Sequence, residues 1–107
     1  ANNANLFRLL RGEGAGSTPE FRRAIQKEID RFADDLADDL RREAKATNRP
    51  IANIDLAAQA MVTVAFNLGA AAIDLPPEER EEVRQRIIVE VRMIMRGAQA
   101  MAGPKTK

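Results

Sequence analysis

The sequence predicts an all-α domain, and three features predict it. Residues 56–75 carry no charge between Asp55 and Asp74, and their polar members Gln59, Thr63 and Asn67 recur every four positions, one narrow line on an otherwise apolar helix. Phe21, Ile25, Ile29, Phe32, Leu36 and Leu40 recur at spacings of three and four, the period of a helix with one buried face. After Leu75-Pro76-Pro77, a third stripe of Val83, Ile87, Val91, Ile94, Ala98 and Met101 keeps the same period, with Ile88 and Met95 widening it.

The elements follow in order. Residues 3–11, with Leu6, Phe7, Leu9 and Leu10, read as a short helix with one apolar side. The alternate glycines Gly12, Gly14 and Gly16 suggest a phosphate-cradling loop, but such loops follow a strand, so a helix-to-helix connection is expected. Next, Thr18 can cap a helix with Pro19 in its first position and Glu20 in its first turn; alternatively Ser17 caps and Glu20 closes a capping box. That helix is expected to reach about Ala46. Asp34, Asp35, Asp38 and Asp39 share its surface, but calcium needs oxygens converging from a loop, and Arg31, Arg41 and Arg42 lie close enough to neutralise them. A solvated face is therefore expected.

Residues 47–53 form a turn containing Pro50, and Asn53 or Asp55 can cap the central helix, which should end near Asp74. Pro77, Glu78 and Glu79 then start the last helix, whose acids gather early and whose Arg92 and Arg96 come late, matching the helix dipole. Gly103 and Pro104 end it.

Composition narrows the function. The 107 residues are one domain's worth, 45% hydrophobic and 31% charged, with aromatics at 4%, so the core must be aliphatic and rich in alanine. A net charge of +1 argues against this domain itself gripping a nucleic-acid backbone. Absence of Cys excludes disulfides and thiolate metal sites. With His, Tyr and Trp absent as well, the usual general base at neutral pH and the imidazole ligand are missing, so no enzyme, catalytic residue, metal or cofactor is expected. The uncharged central run sits at the lower edge of bilayer-spanning length, yet its alanines and glycine, its three hydrogen-bonding side chains and its acidic flanks suit a buried helix of a soluble protein. No signal peptide opens the chain, and Ala1-Asn2-Asn3 reads as the start of a fragment.

A hairpin of two apolar-faced helices cannot bury both faces alone. The helix from Pro19 covers one side, while Val62, Phe66, Gly69 and Ile73 on another, with Ile87, Val91, Ile94, Met95 and Ala98 of the last helix, ask for more cover. The expected solution is a homodimer, two hairpins meeting as an intermolecular four-helix bundle about a two-fold axis. The alternative is that one monomer absorbs these faces.

The runs N-N-A-N-L-F-R-L-L (2–10), G-S-T-P-E-F-R-R-A-I (16–25), E-I-D-R-F-A-D-D-L-A-D-D-L (28–40), A-M-V-T-V-A-F-N-L-G-A-A-A-I-D-L (60–75) and E-V-R-M-I-M-R-G-A (90–98) resemble the C-terminal half of TetR-type transcriptional repressors. Within that family they look most like the branch that represses unsaturated fatty-acid synthesis genes and senses long-chain acyl thioesters. The resemblance implies that residues 1–107 are an effector-binding and dimerisation domain of a cytoplasmic regulator, without the N-terminal helix-turn-helix domain that contacts DNA. It also implies dimerisation through the last two helices, in agreement with the bundle argued from burial. Where relatives tend to have R-E-R, this chain has Gly12-Glu13-Gly14, which puts any role of those arginines in doubt.

The effector pocket so implied is lined by Phe7 and Leu10, by Phe21, Ile25 and Phe32, and by Met61, Val64, Ala65 and Leu68. Such walls suit an acyl-CoA tail, since each buried methylene gains roughly 0.8 kcal/mol without a polar partner. Two alternatives stay open: a regulator for another hydrophobic small molecule, or a dimerisation module with a collapsed core and no ligand.

Overall fold

A computed structural model describes residues 18–103 as three helices, α1 (Pro19–Thr47), α2 (Ile54–Ala71) and α3 (Pro77–Met101). The expected helix at 3–11, the glycine connection and the residues after Gly103 lie outside the described residues.

Thr18 is the cap that starts α1: its backbone is extended and its Oγ1 accepts the Phe21 N–H at 3.1 Å, with Pro19 next and Glu20 in the first turn. Ile25, Ile29, Ala33, Ala37 and Leu40 form the buried stripe. The helix ends at Thr47, one residue past the expected end, and is capped by Asn48, which takes a left-handed conformation with φ of 55°. Asn48 N–H donates to the Lys45 carbonyl and Arg49 N–H to the Ala44 carbonyl at 3.0 Å, the paired bonds that close a helix with a left-handed residue.

The turn that follows is tied across the molecule. Ile51 is buried, and the Ala52 N–H donates to the Ala98 carbonyl of α3 at 3.0 Å. Asn53 occupies the cap position of α2 in a left-handed conformation and makes no side-chain cap bond; Asp55 lies in the first turn instead. α2 ends at Ala71, three residues before the expected Asp74, because the chain tightens there into bonds three residues apart, with Ile73 N–H donating to Ala70 and Leu75 N–H to Ala72. Pro76 is extended, and Pro77, Glu78 and Glu79 open α3 as expected.

α2 is the middle element, packed on one side against α1 and on another against α3. Their common core is Ala33, Ala37, Leu40, Ile51, Ala57, Ala58, Met61 and Ala98, with Leu36, Ala44, Ile54, Val62, Val91, Ile94 and Met95 packed around it. The alanines Ala37 and Ala58 are the most deeply buried, so the helices approach closely, and among the described residues no large side chain is wholly enclosed. By length and composition α2 could cross a membrane, and only 28% of it is buried inside the chain. The all-α class is as expected.

Candidate functional site

Of the expected pocket residues, Phe21, Ile25 and Phe32 stand on α1 and Met61, Val64, Ala65 and Leu68 on α2. Ile25 and Met61 are buried; Phe21, Val64, Ala65 and Leu68 are half-buried; Phe7 and Leu10 lie outside the described residues. Phe32 is 47% exposed, and its ring stands 5.8 Å from that of Phe66 at an interplanar angle of 43°, a tilted aromatic pair. The seam therefore joins a residue assigned to the pocket with one assigned to the dimer face. Met61 belongs to the chain's own core.

Polar groups hold the seam from outside. Asp30 Oδ1 accepts from Gln26 Nε2 at 2.9 Å on its own helix and from Gln59 Nε2 of α2 at 2.8 Å. The Arg41 guanidinium spans α1 and α2, donating to Asp55 at 2.7 Å and Asp38 at 3.0 Å. Its hydrogen bond to Asp55, then the Asp55 charge, raise its pKa above the ordinary arginine value. Arg42 pairs with Asp39 and Arg31 with Glu28. Two carboxylates of the expected acidic face, Asp38 and Asp39, are thus paired with neighbouring arginines, and no cluster suited to a metal occurs among the described residues. Buried polar or charged residues are also absent among them, so the described interior is made of hydrophobic contact.

The residues expected at the dimer face turn largely toward the chain's own core. Ala98 is buried, and Val62, Val91, Ile94 and Met95 pack against the core cluster; Phe66, Gly69, Ile73 and Ile87 are half-buried. The apolar side chains most open to a partner are others: Leu56, Met93 and Met101, at 66%, 67% and 73% exposure, and Val89. Leu56 and Ala60 of α2 with Met93, Gly97 and Met101 of α3 line a groove of about 240 Å³, whose floor includes Ile94 and Ala98. A Cβ added at Gly97 would meet nothing within 4 Å. Ile94, Ala98 and Met101 belong to the stripe read from the sequence, but Met93 was passed over because Arg92 and Arg96 mark that side as polar. The four-residue spacing of Met93, Gly97 and Met101 was the available signal. A second depression of about 350 Å³ lies between Arg49 and Pro50 of the first turn and Arg96, Gln99, Ala100 and Gly103.

A model of the tetracyclin repressor-like C-terminal domain family matches residues 1–101. No solved structure matches the chain.

Proposed function

The chain belongs to the tetracyclin repressor-like C-terminal domain family, and from that premise we propose that it is the regulatory half of a TetR-like transcription regulator. On this reading it binds an apolar effector in the α1–α2 seam and pairs with a second copy through the α2–α3 hairpin. The effector class is a long-chain acyl-CoA or related acyl thioester, and DNA contact comes from a helix-turn-helix domain outside these 107 residues, in the cytoplasm. The observation that carries the effector reading is the aromatic contact between the two helices: Phe32 and Phe66 meet as a tilted pair, with no buried charge among the described residues to oppose a hydrocarbon.

Regulation requires that the effector contact two arrangements of the domain differently. The clamps across the seam, Arg41 to Asp55 and Gln59 to Asp30, are exposed. Parting them returns their polar groups to water, so α1 can shift on α2 without stranding a buried charge.

A second reading, a pairing module without ligand, is favoured by one feature: Ile25 and Met61 already sit buried. Native mass spectrometry of the chain incubated with acyl-CoAs of graded length separates the two. The effector reading expects an adduct whose occupancy grows with chain length. Failure of every acyl-CoA to bind a folded, paired protein would overturn it.

A further inference from the structure

We propose that the depression between the turn at 48–53 and the last two turns of α3 binds the phosphate group of a small molecule, held by the guanidiniums of Arg49 and Arg96. None of its lining residues is assigned to the effector or to pairing, so the site stands whether or not those readings do.

The backbone fixes where both arginines start. Asn48 closes α1 in a left-handed conformation and the Arg49 N–H donates to the Ala44 carbonyl, which sets the direction in which Arg49 leaves the helix end. Pro50 stiffens the next step, and the Ala52 N–H, bonded to the Ala98 carbonyl, anchors the turn on α3. On α3, Gln99, Ala100 and Gly103 stand three, four and seven residues after Arg96, on one face of the helix. With Arg49 and Pro50 these residues line a space of about 350 Å³. A Cβ at Gly103 would meet nothing within 4 Å, so the rim is open on that side.

The positive charge there is uncompensated. Arg31, Arg41, Arg42, Arg84 and Arg86 each hold a carboxylate. The Arg49 and Arg96 side chains make no ion pair or hydrogen bond among the described residues, and no carboxylate lines the depression. The acids nearest in sequence are Glu43, Asp55 and Glu90: Arg41 holds Asp55, Arg86 holds Glu90, and Lys45 offsets Glu43. The carbonyls that end α3 oppose an anion. Those of Ala98, Gln99 and Ala100 already accept N–H groups from Ala52, Ala102 and Gly103, so they neither occupy the guanidiniums nor stand bare. Two positive charges match a doubly charged group, and the planar fork of arginine suits phosphate oxygens. A monocarboxylate would leave one charge unanswered. The half-buried Gln99 adds an amide donor at the wall. A nucleic-acid strand fits less well, because gripping it takes a row of cations and this depression has a pair.

The test is titration of the isotope-labelled full chain with inorganic phosphate, methyl phosphate and pyrophosphate, against sodium chloride of equal ionic strength, read by NMR of backbone amides and arginine Nε groups. Saturable shifts should centre on Arg49, Gln99 and Gly103 and on the side chains of Arg49 and Arg96. Arg49→Gln and Arg96→Gln should each weaken affinity by about fivefold or more, while Arg92→Gln, one turn back along α3 and outside the lining, should stay within about twofold. All three side chains are exposed, so the fold should survive each change, and unaltered melting by circular dichroism checks it. Saturation by inorganic and methyl phosphate alike assigns the site to the phosphate group itself, and saturation by methyl phosphate alone assigns it to a phosphoester; both support the proposal. Shifts that never saturate, that sodium chloride reproduces, or that fall as far in Arg92→Gln as in Arg96→Gln mean diffuse surface charge and overturn it. Saturation by a DNA duplex where no small phosphate binds overturns it as well.

Discussion

The two halves of α3 differ in composition and in surroundings, the first densely charged and the second largely apolar. From Val91 onward, Val91, Ile94 and Met95 pack against the core, Ala98 is buried within it, and the Ala98 carbonyl receives the Ala52 N–H from the opposite turn. From Pro77 to Glu90 the helix has no buried residue: Val83 and Ile87 are half-covered, and Ile88 and Val89 are exposed. The first half is held by local devices instead, namely Pro77 in its first turn, acids at its start, and the Glu81–Arg84 and Arg86–Glu90 pairs. Tertiary packing thus concentrates at the end of the hairpin where all three helices converge, and the other end is surface that another molecule can cover.

The strongest way to break that contrast is to remove comparable side chains from each region. Met61→Ala, in the shared core, should lower stability by about 2 to 5 kcal/mol, the range for truncating a buried large side chain. Ile88→Ala, on the lightly packed half, should stay within about 0.5 kcal/mol. Urea unfolding followed by circular dichroism measures both. Equal losses would mean that the first half of α3 is packed as firmly as the second.

Adding volume sharpens the contrast from the opposite side. Ala58 has no exposed surface and lies where α1, α2 and α3 meet, so Ala58→Leu must push helices apart and should cost about 1 to 3 kcal/mol. A neutral result by the same urea titration would show that the alanine-lined contact has slack, which would weaken the account of why the core is built from small residues.

Helix starts were legible in the sequence because their causes are local. Thr18 before Pro19 and Pro76 before Pro77 act within one turn, and both operate as read. The end of α2 was less legible. The apolar run continues to Leu75, but apolarity does not tell a helix where to stop; the turn into Pro76 and Pro77 claims the residues after Ala71. Asn53 illustrates the same limit, since a residue good at capping sits at the cap and leaves the bond unmade. The buried stripe of α1 was legible in part: Ile25, Ile29 and Leu40 are buried as read, but Phe32 is 47% exposed and the alanines Ala33 and Ala37 are buried instead. The inner side of α2 was not, because a helix apolar almost all round gives periodicity no contrast to work with. Hence Met61, assigned to a ligand, lies in the core, and Leu56 and Met93, assigned to nothing, stand open.

The smallest effect is electrostatic and belongs to the lightly packed half. The Gln85 amide, and after it Arg84, hold the Glu81 carboxyl below its ordinary pKa. A carboxyl whose folded value is depressed stabilises the fold above its unfolded pKa, and that contribution disappears as pH falls through the depressed folded value. Because Glu81 is fully exposed, water screens the effect and the shift should be slight. Glu81→Gln should therefore melt a little below the unaltered chain at neutral pH, with the difference closing as the solution is acidified through the carboxylate range. Calorimetry at a series of pH values reads this directly. A gap that persists at the acid end would assign the effect to hydrogen bonding independent of charge, and local ion pairs would no longer account for what holds this half of α3 in place of a core.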